Sequence, residues 1–464
     1  MPDTWTLYAL IDENAWDTGD ERTLVLDGVE AGSFSRAGRT LFANEALWEP
    51  ETWLIALDSP VTFPALANVT AHAFGEGVWY RVTFQRTALA DANGALYPLQ
   101  ASPDTPRERV KVTQVEVLND IRIRNKLERF ARLQGGPRAT KAEVKALLDA
   151  AGADIAEPML VVYDVGQGNC NALVDAGACP GSPPKVHLFF DFGVPTGWKY
   201  STLPTPALDP LSCPPATLPP PVVLSHWDMD HWAAAVGGGP HYGRTGAVIH
   251  WDSRAIADRK WLVPSRGRGG LGQRLTPTAW RLALALHRHG NLMIWPTLMN
   301  SVRSAAGHWI IKCVPQPGVK WNNNNTGLAL SALLCSRYGD HALCPGDAEY
   351  SSILTNASQP MEIFHLVASH HGANLIHAHA IPDAYYSGMS TLAFSHGAQY
   401  GHPKAGAISD HLSHGWNIQH ETHNRRALAG FTHGTVGLSY WQRKVTHKMC
   451  SGCASRIATC PVWV

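Results

Sequence analysis

Apolar positions recur along this chain with two periods, and the change between them marks its parts. "RTLVLDGV", "GVWYRVTFQRT" and "RVKVTQVEVL" alternate apolar and polar residues and are rich in β-branched and aromatic side chains. A period of two with that composition predicts strands, so residues 1–115 read as a small β-rich accessory domain. From residue 118 the pattern changes. "NDIRIRNKLERFARLQGG" and "TKAEVKALLDAAG" predict two helices broken at Gly-Gly-Pro, the second opened by a capping box of Thr140 and Glu143. Residues 116–157 are thus expected to be a helical connector. Beyond 158, apolar runs end in polar clusters: "EPMLVVYDVGQGNCNALV", "KVHLFFDFG", "VVLSHWDMDH", "EIFHLVASHHGA" and "STLAFSHGAQYGHP". They predict buried strands that present loops on one edge of a sheet. "NNTGLALSALLCSRYGDHALCPGD" predicts a hairpin, "TPTAWRLALALHRHG" an amphipathic helix, and "RKWLVPSRGRGGLGQRL" a Gly-rich basic loop. No internal repeat of 20–50 residues is present. The fold class expected is α/β, with a main domain over 158–440 and a Cys-rich tail over 441–464.

Composition narrows the partners. Lys plus Arg and Asp plus Glu are both 38, so the net charge is zero and no chain-wide field for a polyanion exists. Local basic groups remain: Arg122, Arg124, Lys126, Arg129 and Arg132 on the first connector helix, and Arg259, Lys260, Arg266, Arg268 and Arg274 further on. Nine scattered Cys predict free thiols in a reducing compartment. The acidic start "MPDTWTLYALIDENAWDTGDE" lacks the features of a signal peptide, and no run of about 18 apolar residues occurs. The expectation is a cytoplasmic protein with no membrane partner.

The densest chemistry lies at "VVLSHWDMDHWAAA", residues 222–235. His226 and Asp228 stand two apart, on one side of an extended backbone. Asp230 and His231 follow as the chain tightens toward a helix expected to begin near Trp232–Ala234. Alternate residues then face two neighbouring points, as two cations about 3.5–4 Å apart require. Four such groups packed without a counter-ion would be costly. Imidazole with carboxylate suits Zn2+, Mn2+ or iron, and the extra carboxylate keeps Mn2+ beside Zn2+. Further ligands are expected at other strand ends: Asp347, His370, His371 and His402. In the tail, His447, Cys450, Cys453 and Cys460 carry four soft ligands at short spacing, suited to an additional structural Zn2+. A disulfide or free thiols are the plain alternative.

"SHWDMDH" resembles the His-x-Asp-x-Asp-His signature of the metallo-β-lactamase superfamily, in the branch typified by the metallo-hydrolase domain of the competence protein ComEC. The resemblance continues in order through "YDVGQGNC", "FFDFG", "NNTGLAL", "CPGD", "ASHHGA" and "QYGHP", over about residues 158–405. It implies an αββα sandwich with two divalent metal ions. His226 and Asp228 would hold one metal, Asp230 and His231 the other, and Asp347 would bridge. One of His370 and His371 would complete the set, His371 being preferred because it precedes the Gly. Asp164 and Asp191 would support the ligands or anchor loops. His402 would face the substrate or the leaving group. Apart from the resemblance, Arg266 and Arg268 of the basic loop and Lys404 beside His402 are candidate substrate contacts. The chain departs from the pattern at Asn169, Ala373 and Lys404, where the branch carries Asp, Ser and often His.

The implied activity is a phosphodiesterase or nuclease, acting through a hydroxide bridging the metals, with Asp230 or Asp347 orienting it and His402 protonating the leaving group. The substrate would be a phosphodiester, with nucleic acid first in line. A hydrolase of a small ester, lactone or phospholipid head group is the alternative on the same fold. A non-catalytic metal-binding interaction module is the alternative of another class, and the β-rich domain is a candidate surface for a protein partner.

Overall fold

The structure, a computed structural model, describes the chain except for residues 1–3, 15–23, 44–47, 59–76, 88–89, 97–107, 177–184, 197–201, 205–207, 213–218, 244–245, 266–272, 355–361, 398–400, 424–433 and 440–464. Arg266 and Arg268, and the tail residues His447, Cys450, Cys453 and Cys460, lie outside the described residues. Cys170, Cys313 and Cys344 are buried free thiols.

The β-rich segment closes on itself. Strands β1 (Thr4–Asn14), β2 (Leu24–Glu30), β3 (Thr52–Leu57), β4 (Tyr80–Arg86), β5 (Gly94–Leu96) and β6 (Arg109–Val117) pair antiparallel in the order β3-β2-β1-β4-β6-β5. β5 then returns to β3, closing a six-stranded barrel. Alternation sends Leu7, Ala9, Leu24, Leu26, Trp53 and Ile55 to the barrel interior. Their neighbours Tyr8, Leu10, Val25 and Leu54 join a different core, shared with residues from the rest of the chain.

That sharing ties barrel and body together. The chain forms 3-10 turns over Met229–His231 and Ala233–Ala235 and then the hairpin β11 (Val236–Gly243) and β12 (Gly246–Trp251). β12 pairs with β3, so the hairpin extends the barrel's sheet. The helix expected near Trp232 is therefore absent: the glycines after Val236 favour an extended hairpin over a helix. The helix Pro277–Arg288 wedges between barrel and body and is buried from Pro277 to Leu286, Arg281 included. The solvent face that amphipathy predicts does not exist there, because a layer covers each side. Its first turn is capped from the barrel: Asp27 accepts from the Thr278 N–H (3.0 Å) and hydroxyl (2.9 Å). Burial pushes the Asp27 carboxyl up to about 7, against those hydrogen bonds and Arg281.

Two seven-stranded sheets form the body. The first runs β14 (Leu292–Ile294), β13 (Trp261–Val263), β10 (Val222–Val223), β9 (Lys185–Phe192), β8 (Cys170–Asp175), β7 (Pro158–Val162), β22 (Val436–Ser439). The second runs β15 (Ser301–Arg303), β16 (Trp309–Lys312), β17 (Leu328–Cys335), β18 (Asp340–Cys344), β19 (Glu362–Val367), β20 (Thr391–Phe394), β21 (Ile418–Glu421). Part of the stretch expected to be a basic loop is thus strand β13, since Trp261–Val263 has an apolar slot to fill on either face. Leu188, Phe190, Val223 and Leu262 of the first sheet meet Ile310, Leu328, Leu330 and Ala342 of the second in one core. The other faces are covered too: Phe189, Val222 and Trp261 by the Pro277–Arg288 helix, and Ile311, Leu343 and Leu392 by Tyr350, Ile353 and Trp416. Burial on both faces explains why these strands read as unbroken apolar runs.

β9, β10 and β13 run parallel, as do β18, β19 and β20. Their carboxyl ends point the same way in each sheet, where the chain must leave each strand through a polar loop.

Candidate metal centre

Five of those strand ends converge. β9 ends with Asp191, β10 leads to Ser225 and His226, β18 to Asp347, β19 to His370 and His371, and β20 to Ser395. Close approach is built into the backbone. A Cβ on Gly193 would lie 1.7 Å from the Asp230 carbonyl oxygen, and one on Gly346 would lie 2.6 Å from the Ser225 Cβ. Asp191, His370 and His371 have φ of +62°, +47° and +56°, a left-handed conformation that costs energy in residues other than Gly.

Each buried imidazole is held by one nitrogen. The His371 Nδ1 is 2.6 Å from the Ser395 carbonyl, which can only accept. The His231 Nδ1 is 2.9 Å from Asp191 Oδ2, while Asp191 Oδ1 accepts from the Ser225 N–H at 2.6 Å. The Ser225 hydroxyl stands 3.0 Å from His226 Nδ1 and 3.2 Å from His231 Nδ1. These contacts leave the Nε2 atom of each ring facing inward. The Nε2 atoms of His226, His231 and His371, and Oδ1 of Asp347, are buried without a hydrogen-bond partner. Orphaned polar atoms of this kind call for a ligand.

Their separations suit a shared cation. His226 Nε2 lies 3.2 Å from Asp228 Oδ2 and 3.7 Å from Asp347 Oδ2, and His370 Nε2 lies 3.5 Å from that same oxygen. On the other side, His231 Nε2 lies 3.3 Å from Asp347 Oδ1 and 3.9 Å from Asp230 Oδ1, and His371 Nε2 lies 3.6 Å from Asp230 Oδ2. Two atoms each about 2.0–2.2 Å from a tetrahedral ion are roughly 3.3–3.6 Å apart. Ligand atoms of His226, His231 and Asp347 lie within 4.8 Å of one another, as do those of Asp230, His231 and His371, so each group could hold a cation. Asp228 stands beside the first group at His226, and of the two histidines between which the sequence leaves a choice, His370 approaches Asp347 while His371 approaches Asp230.

The groups polarise one another. Burial opposes the charge on Asp347, but His231, His370 and His226 hold its carboxyl well below the usual range. Burial likewise opposes the His231 imidazolium, and Asp347 and Asp191 outweigh it, raising the pKa well above the ordinary value. His402 stacks at 6.5 Å on His371, and its ring centre is 6.1 Å from that of His370. Burial, with the imidazoles of His371 and His370 and the Lys404 ammonium, pushes its pKa down to about 3. At neutral pH it is an uncharged imidazole, suited to hydrogen bonding more than to storing a proton. Lys404 lies beside it and donates its backbone N–H to the Gly372 carbonyl.

Other predicted residues serve the scaffold. Asp164 accepts from the Gly166 and Gly434 N–H groups and ties the first turn to the start of β22. Lys126 of the basic helix donates to the Phe34 and Ala37 carbonyls and sits over the Phe34 ring. It is spent inside the protein, so it offers no contact to a phosphate. Asn169, where the related pattern has Asp, contributes its backbone N–H to the Asp230 carbonyl at 3.0 Å.

Two residues escaped sequence reasoning. Ser225 bridges two imidazoles, and Asn323 donates from Nδ2 to Asp228 Oδ1 at 3.3 Å while accepting from the Arg274 N–H at 2.8 Å. The run of four Asn at 322–325 was the available signal. Comparison with family models, with curated proteins and with solved structures finds no match for this chain.

Proposed function

We propose that this chain is a binuclear metal-dependent hydrolase of the metallo-β-lactamase superfamily, ComEC-like branch, acting on a phosphodiester. One observation carries the reading: the buried, orphaned Nε2 atoms of His226, His231 and His371 and Oδ1 of Asp347, in groups spaced as ligands sharing an ion are. Facing sheets with helices outside also support it, as an αββα sandwich would have that layering. His226 and Asp347, with Asp228 and His370 beside them, would hold one Zn2+ or Mn2+, and Asp230, His231 and His371 the other. Bound there, two such ions would bring the pKa of a water near neutrality and offset charge on a phosphoryl group.

The chain's own residues do the positioning. Asp191, Ser225 and the Ser395 carbonyl fix the rings so that Nε2 faces inward. Asn323 fixes Asp228. The neutral His402 lies where it can hydrogen-bond a phosphoryl or leaving-group oxygen. Among the described residues, no helix is long and apolar enough to cross a membrane. Buried free thiols fit a reducing, cytoplasmic setting.

Metal analysis combined with cleavage of a plasmid, single-stranded DNA and bis-p-nitrophenyl phosphate tests the proposal, with Asp230→Ala as control. Two metal ions per chain and metal-dependent cleavage lost in the control are expected. Wild-type protein that takes up no divalent metal overturns it. Cleavage of the small diester with plasmid and single-stranded DNA left intact removes DNA as substrate.

A further inference from the structure

A cavity of about 200 Å³ opens directly beside the candidate metal centre, and Asp228 forms part of its wall. Leu10, Ile11 and Asp12 of barrel strand β1 and Thr276 also line it. Trp321, 44% exposed, stands at the cavity together with Asn322, Asn323 and Asn324. Arg274 closes it by joining three parts of the protein. Its guanidinium donates to the Gly77 carbonyl of the barrel segment and pairs with Glu128 of the connector helix, and its backbone N–H donates to Asn323. The space is therefore built by barrel, connector and body together.

Its chemistry points to part of a substrate. Pockets for whole small ligands run about 300–1,000 Å³, so this one takes a single planar unit and excludes a duplex. An exposed indole is a stacking platform for a nucleobase. The Asn324 side-chain amide, lining the same wall, offers a donor and an acceptor for a base edge. Asp228 connects the two sites, because Oδ2 faces His226 Nε2 while Oδ1 is held by Asn323. A phosphodiester at the metal centre would thus place its neighbouring group in this cavity.

We propose that the cavity is a subsite for one nucleoside flanking the scissile phosphodiester, with its base stacked on Trp321 and strand β1 of the barrel contributing to the lining. This rests on the phosphodiesterase reading and sharpens it, since the substrate becomes a single-stranded or small nucleotide diester. It also makes the barrel part of the substrate site.

The test compares two diesters on the metal-loaded, full-length protein: p-nitrophenyl thymidine 5′-phosphate and methyl p-nitrophenyl phosphate. Wild type is expected to prefer the thymidine ester. Stacking of one base is worth about a 5- to 150-fold change in affinity, so Trp321→Ala should lower that preference about 10-fold or more, through KM. Trp321→Phe should restore most of it. A preference that is absent in wild type, or unchanged in Trp321→Ala, overturns the subsite. If neither ester is cleaved, the hydrolytic reading fails by itself, and calorimetric titration with thymidylyl-thymidine decides the subsite. Binding weakened about 10-fold or more in Trp321→Ala upholds it; no binding, or equal binding, overturns it.

Discussion

The two sides of the centre are made of the same residue types but are built differently. Around Asp230, His231 and His371 the side chains are 20%, 0% and 3% exposed, and both rings are anchored to a carboxylate or carbonyl. Around His226, Asp228 and His370 only His226 is buried; Asp228 and His370 are 41% and 44% exposed. The first set is enclosed by the folded body. The second opens on the cavity that reaches Trp321. The difference teaches that one side is set by the core, while the other is half-exposed and borders that cavity.

Asp347 is the residue on which both sides depend, so Asp347→Ala should have the largest effect. Metal content is expected to fall from two ions per chain to below one, and diester hydrolysis to background. Elemental analysis with a cleavage assay checks this, and a variant that keeps both metals would break the idea of a shared ligand.

The two sides should part company under paired substitutions. His231→Ala strands the buried Asp191 carboxylate, and loss of one partner of a buried pair costs about 3–5 kcal/mol. His370→Ala removes a half-exposed ring and should cost less than about 1 kcal/mol. Chemical denaturation of the metal-free variants measures both, and equal losses would erase the distinction. A milder change, Asp191→Asn, keeps the shape but weakens the hold on His231. Metal affinity on that side is expected to drop about 10- to 100-fold, read by competition with a chelator.

Asp27 offers a reference carboxylate, as deeply buried as Asp347 but without imidazoles around it. Its pKa is raised to about 7 by burial, whereas that of Asp347 is held low. A carboxyl raised in the folded state contributes stability that is fully present below the unfolded value of about 4 and lost as pH rises through 7. The melting temperature of wild type minus that of Asp27→Asn should therefore fall between pH 5 and 8. The underlying change is on the order of a few kcal/mol or less. A difference that stays flat over that range would show that Asp27 does not titrate there.

Much of this was legible in the sequence because the signals are local. Thr140 and Glu143 form the capping box as their spacing predicts. Leu328–Cys335 and Asp340–Cys344 form the hairpin, since the turn lies within one short stretch. Strand β1 was hidden in the N-terminal stretch read only for its acidity, and β3 and β5 pair across distant segments, so closure of the barrel left no local trace. The turns after His231 were misread as a helix because Trp-Ala-Ala-Ala has good helix propensity; pairing of the next residues with the barrel sheet overrides it.

By itself, the sequence determined which residue types stand at the strand ends, and hence that His226, Asp228, Asp230, His231, Asp347, His370 and His371 are the candidate ligands. It could do so because each follows an apolar run within a few residues. Only the tertiary structure decided that His370 approaches Asp347 while His371 approaches Asp230, that Ser225 contacts two rings and Asn323 a carboxylate, and that barrel strand β1 lines the cavity beside Asp228. Those outcomes depend on distances between segments far apart in the chain, which are set by the packing of two sheets and a barrel and by no spacing along it.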